Sequence, residues 1–337
     1  MINIGVIGYG YWGPNLVRNF SEPPESQVVA VSDMNQKRLA LVKNRYPAVE
    51  VTGNYKDLLS NPRIDAIAIA TPVSSHYELA RQALKNGKHV FVEKPMTATV
   101  EQAERLIEEA ERCQLTLMVD HTFIYTGAVS KIKEVLDSGR LGHLYYYDSV
   151  RVNLGLFQHD VNVLWDLAVH DLSIMDYLVG VDPQAVSATG MSHVQGQPEN
   201  MAYLTCFFEN KMIAHFHVNW LSPVKIRQTL LGGDRQMIVY DDLEPSEKVR
   251  IYDKGITLND GKEHVYQMMI GYRTGDMWAP QLDNTEALRI EAAHFVECVQ
   301  QKKLPLTDGK AGLRIVRILE LASKSLAERG KLVEIKY

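Results

Sequence analysis

The stretch VIGYGYWGPN, residues 6–15, restricts this chain more than any other, because Gly8, Gly10 and Gly13 follow an apolar run and open a helical pattern. Each glycine answers a separate demand. The first permits a tight turn, the second lets backbone approach a pyrophosphate, and the third allows the new helix to pack close to the strand it leaves. N–H groups at the helix N-terminus then face the phosphates. Asp33 ends the next apolar run, twenty residues after Gly13, where a carboxylate can accept hydrogen bonds from an adenosine ribose. Tyr11, Trp12, Met34 and Arg38 flank these positions and complete the cofactor-binding candidates at this end. A carboxylate repels a 2′-phosphate, so NAD is expected over NADP. Lys37 and Arg38 either offset that repulsion or are solvated helix charges, which leaves NADP open.

Runs rich in Val and Ile (INIGVIG, QVVAVSD, VEVTG, DAIAIAT, KHVFVE, LTLMVD) alternate with helical patterns through the first third of the chain. Their continuous apolarity predicts strands covered on both faces, hence a doubly wound parallel sheet of the Rossmann type. After about residue 122 the pattern changes to longer alternating runs joined by short turns such as ENKM. These predict an α+β domain with a large, mostly antiparallel open sheet. The expected division is 1–122 for nucleotide binding and 123–337 for substrate binding and oligomerisation, with closing helices over roughly 284–302 and 309–328.

A chain of 337 residues that is 46% hydrophobic can build large cores, and its formal charge of −5 with no block of like charges makes nucleic acid an unlikely partner. Cys113, Cys206 and Cys298 are odd in number and in no paired spacing, which fits a reducing compartment, with the cytoplasm as the default. No run approaches membrane-spanning length, and the first residues, lacking a basic leader, are expected to belong to the fold.

In HVFVEKPMTATV, residues 89–100, a buried strand ends in Glu93, Lys94 and Pro95. Ligands of doubly wound sheets gather outside the carboxyl ends of the strands, which explains why two charges stand there. A cis Lys94–Pro95 bond, costing only about 0.5–1 kcal/mol before proline, would aim Lys94 inward. The neighbouring strand end, AIATPVSSH, places Thr71 and Pro72 beside the nicotinamide end of the crevice and His76 at the start of the next helix. Thr71 serves equally well as a helix-capping or turn residue.

The glycine turn, the TP pair followed by His76, the EKP strand end and the later WDLAVHDLSIMDYLVG together resemble the glucose-fructose oxidoreductase and inositol dehydrogenase family (Gfo/Idh/MocA), over nearly the whole chain. GYGYWGPN and YRTGDMWAPQLDN are most similar to members acting on sugar nucleotides. The resemblance implies a catalytic lysine at Lys94 and a catalytic aspartate and histidine at Asp166 and His170. Asp166 and His170 are four apart, on one helical face that Ser173 and Tyr177 continue, while Leu167, Ile174 and Leu178 supply an apolar stripe. The implied chemistry is hydride transfer between a carbinol carbon of a sugar and nicotinamide C4. An imidazole with an ordinary pKa of about 6.5 suits His170 as base. Lys94 then stabilises the developing alkoxide and Asp166 positions the substrate or the imidazole, although the roles of His170 and Lys94 can be exchanged. Tyr125, Arg151 and Asn153 are further substrate-binding candidates, each more readily read as structural, and Asp171 reads as a cap or supporting group.

Three other readings compete. His159, Asp160, Asp166, His170 and Asp171 crowd one region, and His215 and His217 share a strand face, as in a metal hydrolase, but no H-E-x-x-H or similar set appears and no metal is expected. A non-catalytic nucleotide-binding regulator would not need Lys94 and His170. Some relatives within the resembled family use bound NAD transiently, without net redox. The expected substrate is a sugar nucleotide such as a UDP-N-acetylhexosamine, with free sugars or inositols behind it, and the expected assembly is a homodimer or homotetramer through the C-terminal sheet.

Overall fold

The computed structural model describes residues 1–155, 161–258 and 270–336, and none of their helices is long and apolar enough to cross a membrane. The chain packs as two units, Met1–Tyr125 with Thr285–Glu320 and Thr126–Asn284 with Leu321–Tyr337.

The first unit begins with strand β1 (Ile2–Ile7), helix α1 (Gly13–Ser21), β2 (Ser26–Ser32), α2 (Gln36–Arg45), β3 (Glu50–Thr52), α3 (Tyr55–Ser60) and β4 (Ala66–Ile69). It continues through α4 (Val73–Lys85), β5 (His89–Glu93), α5 (Val100–Cys113) and β6 (Leu117–Asp120). The strands form one parallel sheet in the order β3-β2-β1-β4-β5-β6, the doubly wound arrangement expected from the alternating pattern. Every residue of β4 and β6 is buried, as strands covered on both faces require. α5 shows how the covering is achieved: Ala103, Leu106 and Ala110 recur at helical spacing on its buried side, and the Thr99 hydroxyl accepts the Gln102 N–H to start it.

In the second unit α6 (Gly127–Asp137) precedes β7 (Leu144–Leu154), a π-helical turn at Leu164–Ala168, α7 (Val169–Val179), β8 (Ala185–Met191), β9 (Met201–Phe207) and β10 (Ile213–Asn219). β11 (Leu221–Gly233), β12 (Met237–Asp241), β13 (Val249–Tyr252), β14 (Gly255–Leu258), β15 (Ile270–Arg273) and β16 (Met277–Trp278) follow. The chain closes with α8 (Ala287–Gln301), α9 (Gly309–Ala327) and β17 (Val333–Glu334). Nine of these strands form a sheet ordered β16-β13-β12-β11-β7-β10-β9-β8-β17, antiparallel throughout except that β10 runs parallel to β7. Tyr147, Ser149 and Arg151 of β7 are buried on one face, while Tyr203 and Phe207 of β9 and Ile213 of β10 stand exposed on the other.

Two contiguous domains meeting at residue 122 do not describe this packing, because residues 285–320 belong with the first unit. The cause is aromatic. Phe295 of α8 meets Phe20 of α1 and Phe91 of β5 at centroid separations of 6.0 and 5.4 Å in edge-on contacts, all three rings fully buried.

Candidate active site

The carboxyl ends of the first unit's strands lie side by side, since Ile7 pairs with Ile69, Ile69 with Val92 and Glu93 with Asp120. Gly8 leaves β1 at φ +97°, and a Cβ there would lie 2.4 Å from the Ala70 carbonyl oxygen. At Gly13 a Cβ would meet the Gly8 carbonyl oxygen at 2.2 Å, so the helix approaches the turn as closely as backbone allows. Gly10 differs: a Cβ there would meet nothing nearer than the Arg38 guanidinium at 3.7 Å. The protein's own packing does not require that glycine, and a pyrophosphate lying on the turn would. α1 starts at Trp12 without a side-chain cap, and Pro lies in its first turn.

Asp33 follows β2 and is buried, its Oδ2 accepting the Tyr9 N–H at 2.7 Å and its Oδ1 the Asn35 N–H at 2.7 Å. Arg38 lies 3.5 Å from the same carboxylate, while Tyr11 and Met34 expose large apolar side chains beside it. These groups fit an adenosine ribose on Asp33 with an apolar platform adjoining. Trp12 has another commitment. Its indole N–H donates to Asp120 at 3.0 Å, which leaves its backbone and ring face for a cofactor.

At the end of β4 the Thr71 hydroxyl bonds the Ser75 hydroxyl at 2.7 Å, the turn role foreseen for it, and Pro72 caps α4 without a side-chain bond. His76 corrects the sequence reading. It is 1% exposed and its ring nitrogens lie 2.7 and 2.9 Å from the carbonyl oxygens of Thr71 and Pro95, so it clasps two strand ends and presents no nitrogen to a cofactor. Burial holds its pKa below the ordinary value, against the two carbonyls.

Lys94 follows β5 directly, and its peptide bond to Pro95 is cis. Glu93, expected to face the crevice, is a second correction: its Oε1 is sealed from solvent. Burial, with the nearby Asp120 charge, pushes the Glu93 carboxyl well above the usual carboxylate range. Strand pairing is responsible, since Glu93 and Asp120 are register partners at the ends of β5 and β6.

In the second unit Asp166 sits within the π-helical turn, where the Val169 N–H reaches back to the Leu164 carbonyl, and His170 lies in the first turn of α7. Asn162 starts this segment by accepting the Leu164 N–H at 3.1 Å. Trp220, buried to 1% exposure, donates its indole N–H to Asp166 Oδ2 at 2.9 Å. Gly155 makes room for that indole, because a Cβ there would lie 2.5 Å from its ring. No spacing rule links residue 220 to residue 166, so sequence reading missed Trp220.

Arg151 has the structural role weighed against substrate binding. It is 3% exposed and its guanidinium donates to both Asp171 oxygens, at 2.7 and 3.0 Å, so β7 and α7 hold each other. Asn153 is half-buried near the end of β7. Tyr125 is buried in the first unit with its hydroxyl 2.9 Å from His294 Nδ1, at a cleft of about 500 Å³ that Arg289 and Glu297 also line. His159 and Asp160 lie outside the described residues.

Residues 2–121 match the family model described as an oxidoreductase family with an NAD-binding Rossmann fold, and residues 129–239 match that of the GFO/IDH/MocA C-terminal domain. The chain belongs to the Gfo/Idh/MocA family. It is an NAD-dependent oxidoreductase with the two-domain architecture of that family. The chain is 26% identical to the UDP-N-acetylglucosamine 3-dehydrogenase of Acidithiobacillus ferrooxidans, over 93% of each protein. A solved structure of the UDP-N-acetylglucosamine 3-dehydrogenase from Acidithiobacillus ferrooxidans superposes with a TM-score of 0.80 at 24% identity, over 97% of this chain and 98% of the other. The scyllo-inositol 2-dehydrogenase (NAD(+)) of Bacillus subtilis (strain 168) is 24% identical, over 91% of this chain and 87% of its own.

Proposed function

We propose that this enzyme moves a hydride between a secondary alcohol of a sugar and NAD, and that the sugar is carried by a nucleotide, with a UDP-N-acetylhexosamine as first choice. Three observations support the reading: the glycine turn with Asp33 and Lys94 in the first unit, the Asp166–His170 helix start braced by Trp220 in the second, and 26% identity over 93% of each protein to a UDP-N-acetylglucosamine 3-dehydrogenase. NAD supplies the hydride acceptor. The glycine turn and the N-terminus of α1 hold its pyrophosphate and Asp33 its ribose. Lys94 hydrogen-bonds the reacting oxygen and stabilises negative charge there, and His170 takes the hydroxyl proton. Asp166, held by Trp220, fixes the imidazole or a neighbouring hydroxyl.

The test is NAD reduction across UDP-sugars, free hexoses and inositols, with Lys94→Ala as the control. NADH should appear with a UDP-N-acetylhexosamine, and turnover should fall by about 10² or more in the variant with NAD binding retained. Similarity to a scyllo-inositol dehydrogenase favours inositols as the second reading, and turnover confined to them would replace the first. A cofactor that stays bound and recycles without net NADH would indicate non-redox chemistry instead. Near-normal turnover of Lys94→Ala would remove Lys94 from the mechanism.

The assembly is proposed to form through the exposed sheet face, where Tyr203 stacks on His217 at a centroid distance of 4.6 Å, with Phe207 and Ile213 exposed on the same face. Sedimentation of Tyr203→Asp beside the wild type checks it. The three unpaired thiols fit the reducing cytoplasm.

A further inference from the structure

Trp12 stands where the glycine turn after β1 becomes α1, yet its indole N–H donates to Asp120 Oδ2 at 3.0 Å, at the end of β6. The sheet order decides what lies between. β4 and β5 separate β1 from β6, so at about 4.8 Å per strand spacing the ends of β1 and β6 stand roughly 14 Å apart. The Trp12 side chain therefore lies across the carboxyl ends of β4 and β5. Those ends are joined to each other, because the His76 ring spans the carbonyl oxygens of Thr71 and Pro95. Asp120 is 2% exposed, and its Oδ1 accepts the Thr122 N–H at 3.2 Å and the Thr122 hydroxyl. The carboxylate cannot turn from the indole without giving up those two further hydrogen bonds. The indole has one donor and commits it there. Trp12 itself keeps part of its surface in solvent. A flat ring pinned at one edge by a buried carboxylate and still partly open is a platform, where core filling would need neither the pin nor the exposure.

A dinucleotide laid on this sheet meets that platform with its second nucleoside. With one ribose at Asp33, after β2, and the pyrophosphate on the turn after β1, the remaining nucleoside falls on the far side of β1, over β4 and β5. We propose that the Trp12 indole is the surface on which the nicotinamide ring of NAD is seated, and that Asp120 is the positioning residue that holds the indole in place. The oxidised ring is flat and positively charged, and the face of Trp is the strongest side-chain partner for such a ring, through aromatic contact and cation–π attraction. By covering one face of the ring, Trp12 leaves only the other for the carbon that gives up the hydride, so the seat also selects the face of C4 that reacts. Both roles rest on the reading of the glycine turn and Asp33 as the pyrophosphate and ribose sites. The competing role for Trp12 is a strut tying the turn to β6, which would serve every ligand of the turn alike.

ADP-ribose is NAD without the nicotinamide ring, so the affinities of the two ligands isolate that ring. Both are measured on the full-length protein by isothermal titration calorimetry. Trp12→Leu should weaken NAD binding by roughly tenfold and ADP-ribose binding by less than about twofold. Equal losses on the two ligands would make Trp12 a strut, and unchanged NAD affinity would remove it from the site; either result overturns the seat. Should Trp12→Leu bind neither ligand, Trp12→Met is judged by the same two outcomes. For Asp120, Trp12→Phe keeps a flat ring but lacks the N–H, and should lose about threefold on NAD alone. Asp120→Ala should lose about as much in the wild type and nothing further in the Trp12→Phe background. Full NAD affinity in Trp12→Phe, or additive losses in the double variant, would overturn the role of Asp120. If Asp120→Ala binds neither ligand, Trp12→Phe alone decides. Should the cofactor not be placed by Asp33, Asp33→Ala leaves ADP-ribose affinity unchanged, whereas a failed seat leaves that loss intact, so the two failures are distinguishable.

Discussion

The proposed preference for NAD rests on one side chain, Asp33. Its two oxygens are oriented by the backbone N–H groups of Tyr9 and Asn35, and the nearby Arg38 balances part of its charge. A hydrogen bond to a charged group contributes about 1.5–3 kcal/mol, so Asp33→Ala should weaken NAD binding by roughly 10- to 100-fold and NADP binding by less. Fluorescence titration with both dinucleotides checks it, and equal losses would contradict the ribose contact. Gly8, Gly13 and Asp33 were legible in the sequence because each answers a local demand of backbone and charge. His76 and Glu93 were not, because the direction of a side chain leaving a strand end depends on carbonyls and carboxyls far away in sequence.

At the scale of elements, β7 and α7 are joined by the buried Arg151–Asp171 pair, with the Tyr147 hydroxyl donating to the Asp171 carbonyl at 3.2 Å. Replacing one partner leaves the other charge uncompensated, so Arg151→Met should destabilise the protein by about 3–5 kcal/mol while KM of folded enzyme changes little. Denaturant unfolding beside steady-state kinetics would decide, and a raised KM with unchanged stability would restore Arg151 to the substrate site. Helices and strands of this unit followed from periodicity of 3.6 and 2. The π-helical turn at Asp166 and the parallel pairing of β10 with β7 did not, since a four-residue spacing looks the same in either helix and a strand carries no mark of its neighbour's direction.

For the whole molecule, the buried ionisable groups set how stability changes with pH. His121 has its pKa lowered from 6.5 to about 4 by burial. Between those values the unfolded chain binds a proton that the folded one refuses, so the contribution of neutral His121 is present above about pH 6.5 and lost as pH falls. Against His121→Phe, the wild type should lose about 1.4 kcal/mol per unit of pH through that window, measured by unfolding at each pH, and parallel curves would show that His121 is not held neutral. Glu93 and Glu291 act in the opposite sense: their raised pKa values stabilise the folded state at low pH, and that stabilisation is lost as pH rises.

The alternation of apolar runs and helical patterns and the glycine turn were enough to specify a doubly wound sheet and an open second sheet. Those features arise from periodicity, backbone freedom and local charge, which are written in consecutive residues. Only the tertiary structure decided that α8 returns to the first unit, that Trp220 holds Asp166, and that Trp12 reaches Asp120. Those are contacts between segments up to 275 residues apart (Phe20 and Phe295), selected by the burial of aromatic rings and the satisfaction of buried polar atoms, which no single stretch of chain contains.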